Sequence, residues 1–139
     1  MNGDFAPFEL AVKLKEKGFM EPCFGWYYPA EVCGFDYKTM IVFNNSAYRG
    51  SNYKDMLVSH KDEKYIDAPT ISQVLKWLFD EKQLFVNIDC NICDKFGLFF
   101  TIYKKGEETW EACGFDDNYY NKPEETTLAA IEYVLDNLI

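Results

Sequence analysis

The chain reads as an α+β protein, a small antiparallel sheet with helices packed on one face. Three observations predict this class. Three stretches carry apolar residues at helical spacing with recognisable start or stop signals. Short aromatic and β-branched runs lie between them, bounded by turn residues. The runs come in consecutive sets, as antiparallel strands joined by turns do. At 139 residues the chain can bury a core without staples, so one domain over 1–139 is expected.

The first helix is "PFELAVKLKEKGF". Pro7 suits a first turn, and Leu10, Ala11 and Leu14 recur on one side. Gly18 supplies a left-handed stop, after which Phe19 folds back on Leu14. "CFGWYY" follows as a strand with Phe24, Trp26 and Tyr28 on one side and Tyr27 on the other. "EVCGF" and "TMIVF" read as two further short strands. Residues 44–69 are polar and turn-rich, which predicts a long surface loop or the join between two subdomains.

"TISQVLKWLFDEK" is the clearest helix. Thr70 and Gln73 form a capping box, and Ile71, Val74, Leu75 and Leu78 make the buried stripe. "LFVNIDC", "GLFFTIYKK" and "TWEACGF" then read as three antiparallel strands, with Lys105 and Gly106 in the second turn. The last helix, "NKPEETTLAAIEYVLDNLI", takes Asn121 as its cap and Pro123 with acidic residues in its first turn. Its stripe is Leu128, Ile131, Leu135 and Leu138. The predicted order is αβββ-loop-αβββα.

A six-residue pattern, E-x-C-G-F-D, occurs at 31–36 and again at 111–116. Each copy closes a predicted strand, where glycine releases the chain and aspartate opens a turn. The pattern is also what a degenerate internal repeat of the two halves would leave.

Composition excludes some functions. Lys and Arg number 14 against 23 Asp and Glu, a net charge of −9 with a single arginine, Arg49. Nucleic-acid binding needs clustered cations, so direct contact with nucleic acid is not expected. No 18-residue apolar run spans a membrane, and Met1-Asn2-Gly3-Asp4 is not the basic start of a signal peptide. A cytoplasmic protein with reduced cysteines is the expectation.

Candidate chemistry is sparse. Cys90 and Cys93 form a C-x-x-C, but tetrahedral zinc needs four ligands and no second close pair exists. They are weak metal candidates, and no cofactor is expected. His60 sits in a polar stretch with no nucleophile signature around it. Aromatic residues make up 18% of the chain, and Trp26, Tyr27, Tyr28, Tyr119 and Tyr120 are the candidate partner-binding rings.

The stretches "FELAVKLKEKGF", "DAPTISQVLKWLFDEKQLFVNI" and "KPEETTLAAIEYVLDNLI" resemble a group of small uncharacterised proteins encoded by phages, prophages and mobile elements of gut bacteria. The resemblance covers a little over a third of the chain. It implies a genomic setting and no catalytic residues. The expected function is a non-enzymatic accessory module that binds a protein partner or a second copy of itself. The alternative is an acidic inhibitor that imitates nucleic acid and occupies a basic host DNA-handling protein.

Overall fold

The computed structural model of the chain describes residues 4–27, 41–43, 65–91, 97–107, 110–113 and 120–139. The elements are α1 (Phe8–Glu16), β1 (Gly25–Tyr27), β2 (Ile41–Phe43), β3 (Ile66–Ala68), α2 (Ile71–Lys82), β4 (Leu84–Asn91), β5 (Gly97–Lys104), β6 (Trp110–Cys113) and α3 (Pro123–Asn137). The fold is α+β. The strands form two antiparallel three-stranded sheets where the sequence suggested one, ordered β2-β1-β3 and β4-β5-β6. The chain divides into two compact units, Met1–Gln73 and Val74–Ile139. The division falls in the first turn of α2, beyond the 44–69 span.

In the first unit, α1 buries the predicted Leu10, Ala11 and Leu14 and packs on β3. Its end forms a Schellman arrangement. Gly18 takes φ +91°, its N–H donates to the Lys15 carbonyl at 3.1 Å, and the Phe19 N–H donates to the Leu14 carbonyl at 2.9 Å. Phe19 is then buried, as the stop signal predicts. β3 corrects the loop expectation, because Ile66–Ala68 lies inside 44–69 and pairs with β1 from Gly25↔Ala68 to Tyr27↔Ile66. Three residues are too few to show an alternating pattern. The expected strand "EVCGF" lies outside the described residues.

The capping box forms as predicted. The Gln73 N–H donates to Thr70 Oγ1 at 3.2 Å, and the Thr70 N–H donates to Gln73 Oε1 at 3.0 Å. The buried residues of α2 are Val74, Trp77 and Leu78, whereas Ile71 and Leu75 are half-buried. α2 stops at Gln83, which takes φ +59°. A non-glycine residue there costs about 1 kcal/mol, and no sequence signal marked it.

In the second unit, β4 to β6 run as a meander. Gly106 takes φ +86° in the turn closed by the Glu107 N–H on the Lys104 carbonyl, 3.2 Å. α3 packs on β4 and β5 and buries Ile131, Val134 and Leu135 completely. Each such side chain contributes about 2 kcal/mol of transfer free energy. Leu128 and Leu138, expected in the stripe, are half-buried. The cap differs too. Lys122 occupies the position expected of Asn121 and makes no side-chain cap bond. The buried Thr126 instead donates its hydroxyl to the Lys122 carbonyl at 2.8 Å.

The strand orders bear on the internal repeat. The first strand is central in the first sheet, and the second strand is central in the second. Among the described strands the two halves therefore differ in topology. The first E-x-C-G-F-D copy lies outside the described residues. Of the second copy, Glu111–Cys113 lies in β6, and 114–116 lie outside the described residues.

Candidate interaction surface

Of the predicted aromatic site, Trp26, Tyr27 and Tyr120 are among the described residues. Tyr27 is a core residue, 3% exposed. Its hydroxyl donates to the Ala6 carbonyl at 2.8 Å, and its ring meets Phe8 edge-on at 5.3 Å. The N-terminal segment thus covers the strand face that carries Gly25 and Tyr27, and leaves Trp26 half-buried on the other. Strand parity separates the two faces but does not say which is covered. Burial, with the nearby Glu9 charge, pushes the Tyr27 phenol up to about 12. Tyr120 is half-buried and exchanges backbone hydrogen bonds with Leu98, 2.9 Å each way. Tyr28 and Tyr119 lie outside the described residues.

Cys90 is exposed on β4, while Cys93 and His60 lie outside the described residues. Cys23 is buried, and its Sγ–H donates to the Glu21 carbonyl at 3.3 Å. Burial, then the charges of Asp67 and Glu21, push this thiol far above its ordinary range. It behaves as a small protonated hydrophobe rather than a nucleophile. Among the described residues, no three His, Cys, Asp or Glu side chains come together. Among them also, no helix is long and apolar enough to cross a membrane.

A different aromatic group does assemble, in the second unit. Phe79 on α2, Phe85 on β4 and Tyr103 on β5 are 43%, 50% and 39% exposed. Phe79 and Phe85 meet edge-to-face with centroids 6.3 Å apart. Phe85 lies directly opposite Tyr103 in the antiparallel ladder, so both project from one face. The other face carries Ile88, Phe100, Val86 and Ile102 as opposed pairs. That is the side of α3, where Phe100 meets Tyr133 at 5.9 Å.

One cation edges this aromatic corner. Lys105 Nζ lies 5.7 Å over the Phe79 ring, and Lys82 Nζ lies 5.3 Å over Trp77. Neither ammonium has a carboxylate partner among the described residues. Lys76 pairs with Asp80, and Lys104 with Glu107, on the exposed surface.

One sequence signal could have found Phe79. It stands beside Leu78 but off the apolar stripe, so its ring had to face elsewhere. Phe85 and Tyr103 needed the strand register. No family model, curated protein or solved structure matches this chain, so the site is defined by its own geometry.

Proposed function

We propose that this chain is a non-enzymatic binding module, an accessory protein that takes its partner on the Phe79–Phe85–Tyr103 surface. The observation that carries this reading is the edge-to-face meeting of Phe79 and Phe85, with Tyr103 opposite Phe85 in the ladder, each ring more than a third exposed. Scattered exposed rings need no explanation, but adjoining ones form the desolvated centre typical of binding hot spots. The ammonium of Lys105, with no carboxylate partner among the described residues, gives the partner a chemistry. It is an acidic protein segment that presents apolar side chains beside carboxylates. A cation over the exposed Phe79 ring supports docking of such a segment over imitation of nucleic acid.

The test is selection of displayed peptides on the immobilised full chain. Peptides with an aromatic or branched aliphatic residue next to Asp or Glu are expected to enrich. Phe85→Ala and Lys105→Glu should each weaken the selected peptides by about tenfold or more. Unchanged affinity in both variants, with circular dichroism showing intact folds, would refute the reading.

A further inference from the structure

We infer that β4 is a self-pairing edge: two copies of the chain join antiparallel along β4, about a twofold axis at Asn87. The β4-β5-β6 sheets of the two copies would become one sheet of six strands. This inference shares Phe85 with the docking surface proposed above but does not rest on that reading.

The phase of the ladder carries the argument. β4 is the terminal strand of its sheet and spans eight residues. Lys105 N–H donates to the Gln83 carbonyl at 2.8 Å, which makes that opposed pair a hydrogen-bonded one. Alternation then directs the N–H groups of Phe85, Asn87 and Asp89 towards β5, and those of Leu84, Val86, Ile88 and Cys90 away from it. Two further bonds agree. The Cys90 N–H donates to the side-chain Oδ1 of Asp89 at 2.8 Å, and Leu98, opposite Cys90, directs its own N–H to Tyr120. The outward backbone groups of Val86 and Ile88 have no hydrogen-bond partner among the described residues. An unpaired row of this kind is a template for another strand.

The edge is complementary to itself. Centring on Asn87 sets Val86 against the other copy's Ile88, where each pair exchanges both backbone bonds. Leu84 meets Cys90, and Phe85 meets Asp89. The two Asp89 carboxylates stand four residues apart along the strands, about 13 Å. That exceeds the Debye length of about 8 Å at physiological salt, so the acidic chain does not repel itself there. Other centres are poorer. Centring on Asp89 would oppose two carboxylates directly. Centring on Ile88 would leave the two Asp89 carboxylates only two residues apart along the strands, about 7 Å, inside that Debye length. Centring on Val86 would shorten the overlap.

The axis gives a sharp test. Asn87 would face its own copy at a non-hydrogen-bonded position, with Cα atoms about 4.5 Å apart, within reach of a disulfide. Light scattering of the wild-type chain should give twice the 16.3 kDa chain mass. In a Cys90→Ser background, Asn87→Cys should yield, on mild oxidation, a dimer whose linked peptides join position 87 to position 87 by mass spectrometry. Asn87→Asp and Asn87→Lys should each weaken self-association by about tenfold, equal to about 1.4 kcal/mol. Mixing the two should restore the dimer, which damage to the fold would not. A wild-type mass of one chain would overturn the inference and leave this edge to a foreign strand. So would a dimer without a linkage at 87 that ignores both charge changes, since it would use another surface.

Discussion

Replacing Ile102 with alanine is expected to cost about 3 kcal/mol of stability in urea unfolding. The side chain is completely buried on the central strand β5. It stands opposite Val86 on one side and Ala112 on the other, on the face covered by α3. Truncation removes transfer free energy and leaves a cavity that flanking strands on both sides hold open. Ile102→Val removes one methylene and should cost about 1 kcal/mol. The neighbouring Tyr103→Ala should cost less than Ile102→Ala, because that ring is part-exposed on the opposite face. If Ile102→Ala and Tyr103→Ala proved equal, the assignment of the two faces would be wrong.

The second large effect concerns Tyr27 and alkaline pH. At neutral pH, Tyr27→Phe leaves the buried Ala6 carbonyl without its donor and should cost about 2 kcal/mol. A phenol is charged when it loses its proton. In the unfolded chain this happens near pH 10, whereas burial, aided by Glu9, holds the folded group protonated up to about 12. Between those values the folded state keeps a proton that the unfolded state has released, so stability falls as pH rises. The phenylalanine variant lacks this loss. The stability gap between wild type and Tyr27→Phe should therefore narrow from pH 10 upwards. Cys23 adds a fall of the same sign to both proteins and cancels in the comparison. A gap that stayed constant to pH 12 would place the Tyr27 hydroxyl in water.

The helices were legible because their signals are local. Gly18 and Phe19 announced the end of α1, and Thr70 with Gln73 announced the start of α2. What escaped was decided by partners distant in sequence. β3 is a strand because β1 pairs with it, and Tyr27 points inward because Ala6 and Phe8 lie over it. The left-handed Gln83 had no glycine to mark it. The candidate interaction surface was the least legible part. Phe79, Phe85 and Tyr103 are ordinary core residues by type, and only register and helix facing bring them together outside. The rings singled out from sequence were chosen for local density, which does not report the direction in which a strand turns its faces.

The different strand orders of the two sheets also set how each must assemble. The second sheet joins only sequence neighbours, so each hairpin closes a short loop. The first sheet places β1 at its centre, and Gly25 finds Ala68 only after 68 − 25 = 43 residues of chain have been gathered in. Loop closure of that kind slows folding, whereas a local meander under one helix forms early. The amides of β4 and β5 should accordingly gain protection before those of β1 in pulsed hydrogen exchange during refolding. Simultaneous protection would mean that the two units fold as one cooperative body.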